Sequence, residues 1–130
     1  MSDNQIFIYG RSLGASPSIY LSSHRKPKAQ FLISAFKSII NIPNKFLSFF
    51  VEHIFKSIDY IGNVKCPILF IHRKTDDVIS HKHSEVLFQK TEKNNINNEM
   101  KLIKGKGHND LNLKEDIIDN IMKFCFLKKL

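Results

Sequence analysis

Ser12 lies at the centre of Gly10-Arg11-Ser12-Leu13-Gly14, directly after the apolar run Ile6-Phe7-Ile8-Tyr9 and ahead of an amphipathic stretch. A serine hydroxyl is a weak nucleophile at neutral pH, so it must be lifted out on a sharp turn and presented to a base before it can attack a carbonyl. Glycines two residues to either side give a strand-turn-helix elbow of that kind the room it needs. Gly10 and Gly14 are therefore assigned to the turn, and Ser12 to nucleophilic attack.

The same chemistry calls for an acid and then a histidine further along, each leaving the C-terminal end of a strand. Pro67-Ile68-Leu69-Phe70-Ile71-His72 reads as a buried strand running into Arg73-Lys74-Thr75-Asp76-Asp77. Met100-Lys101-Leu102-Ile103 runs in the same way into Gly105-Lys106-Gly107-His108-Asn109-Asp110. Asp76 and His108 complete the set. His108 would take the Ser12 proton during attack and return it to the leaving group, while Asp76 holds the imidazole in one tautomer and stabilises its cation. Asp77 is the alternative acid, and Asp110 reads as a helix N-cap. The reaction is acyl transfer through an acyl-serine; these residues alone do not separate esterases from lipases and peptidases.

Positioning three such groups requires alternating strands and helices, the pattern of a parallel sheet covered on both faces. Strands are expected at 5–9, 30–34, 68–72 and 100–103, and helices at 13–23, 81–91 and 113–126. Residues 94–98 form a polar loop. The closing helix should place Ile117, Ile118, Ile121, Met122 and Cys125 on one apolar face. Residues 36–58 are rich in Phe, Ile and Ser and stand where a pocket-covering insertion would fall. Phe46, Phe49, Phe50 and Phe55 there are either core packing or the wall of an acyl pocket.

The composition, 42% hydrophobic and 25% charged over 130 residues, fits one globular domain. No run reaches the ~20 apolar residues of a spanning helix, and the start of the chain lacks the basic and apolar regions of a signal peptide, so the expected location is cytoplasmic rather than secreted. Cys66 and Cys125 lack metal or redox spacing and read as packing residues. His81 and His83 point apart on a helix with no further ligands, so no metal and no cofactor is expected. His24, His53 and His72 read as structural or solvated. The net charge of +8 comes from scattered lysines. It gives no reason to expect nucleic acid, and Arg25-Lys26-Pro27-Lys28 reads as a solvated loop that leaves open a peripheral contact with acidic lipid.

Four spaced signatures make the chain resemble α/β-hydrolases, most closely the α/β-hydrolase-domain-containing seventeen family of depalmitoylating serine hydrolases and its Bem46-like relatives. They are the elbow followed by Pro17 and Ser18, the strand opened by Cys66-Pro67 and closed by Ile71-His72, Asp76 with Val78-Ile79, and Gly105 to Asp110 around His108. The resemblance covers nearly the whole chain. It implies the C-terminal portion of an α/β-hydrolase, a partial domain over residues 1–130 with about four parallel strands and its N-terminal strands missing. It also implies an esterase or thioesterase acting on palmitoylated protein or another long-chain acyl ester, at the cytoplasmic face of a membrane. The Leu13 amide would be one oxyanion donor; the family takes the second from an early loop that does not occur before Ser12. Weak turnover and an open apolar edge at residues 6–9 would follow. The alternative is a catalytically silent fragment serving as an interaction module. Arg73 stands where relatives carry Gly and implies a different turn before the acid.

Overall fold

The computed structural model describes residues 2–38, 56–94, 97–106 and 110–130. Within them one parallel sheet runs in the order β1-β2-β3-β4, with β1 at Phe7–Arg11, β2 at Ala29–Ile33, β3 at Ile68–Thr75 and β4 at Glu99–Lys106. Parallel neighbours cannot be joined by hairpins, so the chain crosses a face of the sheet between strands. Helix α1 (Ala15–His24) follows β1, α2 (Ser57–Tyr60) precedes β3, α3 (Lys82–Thr91) joins β3 to β4, and α4 (Asp119–Lys128) closes the chain. This is the expected fold class, four parallel strands with helices on both faces.

All five residues of β2 and the first six of β3 are buried, as suits strands covered on both sides. Ala15, Ile19 and Leu87 from α1 and α3 pack with Leu32, Ile68 and Phe70 on one face. On the other, Ile117 and Phe124 pack with Phe31, Ile33, Leu69 and Ile71. Among the described residues β1 pairs only with β2 and leaves Phe7 and Tyr9 about half exposed, the open edge expected there.

Several boundaries differ from the sequence reading. β1 starts and ends two residues later, because Asp3–Gln5 forms a separate 3-10 turn. β2 stops at Ile33, and Ser34 takes a left-handed φ of 51°. β3 and β4 run on to Thr75 and Lys106, which pair with each other beyond a register irregularity. Those extensions are polar and carry no hydrophobic signal. Residues 39–55 of the expected insertion, with His53 and the four phenylalanines, lie outside the described residues. The polar loop has a structural use: the Asn98 side chain accepts from Ile68 N at 2.8 Å, and Asn94 donates to the Gly62 carbonyl at 2.7 Å.

The closing helix departs most. It opens with a wide π turn at Leu113–Ile118. Its cap is Asn112, whose side chain accepts from the amides of Lys114 and Glu115 at 2.9 and 3.0 Å; Asp110 does not cap it. The extra residue in the wide turn rotates the helix phase. Ile117 and Phe124 are consequently buried, Ile121 and Cys125 partly so, while Ile118 and Met122 face outward. Both cysteines are free thiols; burial pushes Cys66 up to about 12 and raises Cys125 as well. Arg25 lies on the surface, 3.8 Å from Asp3.

Replacing the true cap should therefore matter. Asn112→Ala is expected to lower stability by about 1 kcal/mol in urea titration, with Asp110→Ala costing clearly less; equal losses would contradict the assignment of the cap.

Candidate active site

β1 ends in extended backbone at Arg11, with φ −123° and ψ 134°. Ser12 then takes φ 49°, in the left-handed region that a residue with a Cβ enters at a cost of about 1–2 kcal/mol. A 3-10 turn over Ser12–Gly14 closes with the Ala15 amide on the Ser12 carbonyl, and α1 begins at once. The reversal is abrupt because α1 lies directly on β1. A Cβ on Gly10 would stand 2.8 Å from Ala15 Cα and 2.9 Å from the Gly14 carbonyl, and would collide with Ser18 Oγ.

The residues after the elbow serve the same contact. Pro17 sits in the first turn of α1, where no backbone donor is needed. Ser18 Oγ donates to the Ala15 carbonyl at 2.6 Å and accepts from Gln30 Nε2 of β2 at 3.2 Å. Gly14 is different. Its φ is −70°, and a Cβ there would meet nothing within 4 Å among the described residues, so the turn itself does not require glycine at this position. Leu13, next to Ser12, is exposed, and its amide lies at the start of the turn, where helical N–H groups lack intrahelical partners.

Asp76 follows β3 immediately. Its Oδ1 accepts from the amides of Val78 and Ile79 at 2.9 and 2.8 Å, an Asx-type turn that ties the carboxylate to the backbone just after it. Its Oδ2 lies 3.2 Å from His72 Nε2, and both side chains are fully buried. Asp77 is exposed, so Asp76 is the better-placed carboxylate of the two. The Arg73 side chain leaves the opposite face of β3, towards Asp116.

His72 is a structural partner of the acid that the sequence reading did not assign to it. Nε2 is 2.7 Å from the Ile79 carbonyl, and Nδ1 is 2.7 Å from Ser84 Oγ, which is itself 3.1 Å from the Ala35 carbonyl. Burial pushes the imidazole below its usual range, with the Ile79 carbonyl and Asp76 opposing that shift. A neutral ring with its proton on Nε2 serves both of these acceptors. The available signal was the Ile-His pair at the end of a buried strand, four residues before the acid.

Register places these groups at one edge. Arg11 is level with Ile33, and Ile33 with Ile71. With every strand parallel, Ser12 leaves β1 and Asp76 leaves β3 at the same C-terminal edge, two strand spacings or roughly 10 Å apart across the sheet. β4 runs to that edge beside β3, with Lys106 opposite Thr75. His108 lies outside the described residues, two positions beyond the end of this strand. Elsewhere, His83 accepts from the Lys37 amide at 3.3 Å, His81 lies 3.6 Å from Glu85, and the His24 ring packs tilted against Tyr20. Among the described residues no cluster of His, Cys, Asp and Glu could hold a metal, and no helix is long and apolar enough to cross a membrane.

A left-handed serine between a parallel strand and a tightly packed helix, with a buried aspartate at the same sheet edge, defines an α/β-hydrolase fold. The chain belongs to the dienelactone hydrolase family, whose sequence pattern it matches over residues 2–121. It is 29% identical over 121 residues to human alpha/beta hydrolase domain-containing protein 17B, covering 92% of this chain and 41% of the relative. It is also 29% identical over 126 residues to mouse alpha/beta hydrolase domain-containing protein 17C, covering 95% and 38%. The chain thus spans about two fifths of these relatives. Among solved structures, esterase PE8 superposes with a TM-score of 0.69 at 21% identity, over 95% of this chain and 50% of that one. Dipeptidyl peptidase 4 of Porphyromonas gingivalis gives 0.77 at 14%, over 95% and 20%. At these identities the likeness is one of fold.

The two elbow glycines should respond differently. Gly10→Ala is expected to cost about 1–3 kcal/mol through overpacking against backbone, whereas Gly14→Ala should be neutral or stabilise by up to about 1 kcal/mol; denaturant midpoints of the two variants test this. For His72, a folded-state value below the unfolded one of about 6.5 means that the unfolded chain binds the extra proton. That stability contribution is complete above about pH 6.5 and is lost as pH falls. His72→Gln should flatten the decline in urea midpoint between pH 7.5 and 5.5, and an unchanged slope would count against the buried neutral ring.

Proposed function

We propose that the chain carries the acyl-transfer machinery of a serine esterase or thioesterase, with Ser12 as nucleophile, His108 as general base and then acid, and Asp76 as the group that orients and stabilises the imidazolium. The observation carrying this reading is the left-handed φ of Ser12 at a strand end packed on Gly10, on the edge where Asp76 accepts from the Val78 and Ile79 amides and lies against His72. Backbone strain of this kind persists where surrounding packing fixes it, and it is common at catalytic centres. Attack by Oγ forms the C–O bond of the acyl-serine as its proton passes to His108; the protonated imidazole then releases the alcohol or thiol, and water completes hydrolysis. The Leu13 amide is the oxyanion donor supplied by the elbow, and the N-terminus of α1 favours the developing negative charge.

A long-chain acyl substrate, such as the acyl group of a palmitoylated protein, is the favoured class on resemblance to the depalmitoylating hydrolases. The half-exposed Phe7 and Tyr9 on the edge of β1 favour a second reading, a silent strand-pairing module. Labelling by a fluorophosphonate probe separates the two. The enzyme reading expects labelling of the chain that Ser12→Ala abolishes and Asp76→Asn slows by about 10⁴-fold. A folded chain that never labels favours the module.

A further inference from the structure

Resting on that acyl-transfer reading, we propose that Ser84 is a positioning residue: its hydroxyl fixes the tautomer of His72 and thereby the hydrogen bond through which His72 grips the Asp76 carboxylate. Ser84 lies on α3 and is fully buried, as are His72 on β3 and Ala35 just after β2. Its Oγ stands 2.7 Å from His72 Nδ1 and 3.1 Å from the Ala35 carbonyl. On the other side of the ring, Nε2 stands 2.7 Å from the Ile79 carbonyl and 3.2 Å from Asp76 Oδ2.

The number of protons fixes the direction of each bond. A backbone carbonyl and an ionised carboxylate only accept, so the ring proton facing them belongs to Nε2. In a neutral imidazole Nδ1 is then bare, and the single hydroxyl hydrogen of Ser84 is the donor within reach. The Ala35 carbonyl is its other outlet. Were the hydroxyl turned there, Nδ1 would have to carry a proton of its own, and the ring would become a buried cation competing for the charge on Asp76. With the hydroxyl turned to Nδ1, Asp76 meets a neutral N–H and keeps that charge for acyl transfer. The hydroxyl is anchored from the strand beside Ser12. Ile33 is level with both Arg11 and Ile71, Ser34 takes its left-handed φ and donates its amide to the Ile71 carbonyl at 2.8 Å, and His83, next to Ser84, accepts from the Lys37 amide. The turn after β2 therefore meets α3 at two consecutive side chains. Removing the hydroxyl leaves Nδ1 buried without a donor, and a ring that can move its proton between nitrogens no longer holds an N–H towards Asp76.

The test uses the 130-residue chain with Ser84→Ala, Ser84→Cys and Ser84→Ala combined with His72→Gln. Three quantities are measured on each: the fluorophosphonate labelling rate, kcat and KM on a short soluble ester, and the nitrogen NMR shifts of the His72 ring, assigned with His72→Gln, which separate a protonated nitrogen from a bare one. The wild-type ring should carry its proton on Nε2, and Ser84→Ala should mix the two tautomers. Labelling and kcat should fall about tenfold in Ser84→Ala with KM unchanged, less than the ~10²-fold that misplacing a catalytic group by about 1 Å can cost. Because Ser84 acts through His72, removing it from the His72→Gln chain should cost nothing further. Ser84→Cys, close in size and a weak donor, should fall between wild type and Ser84→Ala, and it decides the matter if the alanine variant does not fold. Wild-type rates in folded Ser84 variants, losses that add in the double variant, or a wild-type ring protonated on Nδ1 would overturn the positioning role alone. A folded wild-type chain that neither labels nor turns over ester would overturn the acyl-transfer reading, and the positioning role with it.

Discussion

Helix α1 can approach β1 as closely as it does only because Gly10 has no side chain, and the rest of the site follows from that approach. With Ala15 Cα, Ser18 Oγ and the Gly14 carbonyl all inside the volume a Cβ would fill, the chain has one residue in which to reverse from strand to helix. That residue is Ser12, and the left-handed φ is the geometric result. The close contact has a cost. Ser16 and Ser22, buried on α1 because small side chains fit there, have hydroxyls with no hydrogen-bond partner among the described residues. A buried unpaired hydroxyl is worth about 1–3 kcal/mol of destabilisation. Hydrophobic burial across two sheet faces has to offset it, and Ile19, Leu32, Ile33, Phe70, Phe124 and Leu87, all almost fully buried, are among the larger contributors.

The parallel sheet turns that single strained residue into part of a constellation. Every strand ends at one edge, so residues distant in sequence arrive together without any loop having to travel far. At that edge the chain solves a second problem, a carboxylate whose side chain is entirely buried. Such a group is tolerable only when its oxygens are hydrogen-bonded. Two amides from the following turn and the His72 ring do this, and the ring is itself held by Ser84 and Ile79. The acid is therefore fixed from beneath by α3 and from the side by its own turn.

Much of this was legible in the residues. Gly10 and Ser12, and Asp76 with Val78 and Ile79, are short-range patterns whose geometry is set within a few positions, and a tight turn is present at each. The strand cores of β2 and β3 are continuous apolar runs and were equally plain. What escaped the sequence depended on long-range pairing or on phase. The polar ends of β3 and β4 are strand because each supplies a partner to the other, which neither stretch reveals alone. The apolar stripe of the closing helix was read with a uniform 3.6-residue period, and the wide turn at Leu113–Ile118 broke that phase, exchanging Met122 for Phe124 in the core. Gly14 looked equivalent to Gly10 by spacing, yet only one of them faces a neighbouring backbone.

Arg73 illustrates why a single departure from a family pattern cannot be judged at its own position. A large cation in place of glycine beside the acid reads as a disturbance of the turn, and in isolation a buried guanidinium would be strongly unfavourable. Strand alternation sends it to the other face, where Asp116 supplies the countercharge and two carbonyls take further donors. Glycine at 105 is required by its φ of 139°, and its missing side chain also leaves the Arg73 guanidinium room. Residues 73, 105 and 116 are specified together. Replacing the arginine by glycine would remove the donors that Lys104, Asp110 and Asp116 now share, leaving the carboxylate without its cation and two carbonyls to find water, so the change is neutral only if all three sites adjust at once.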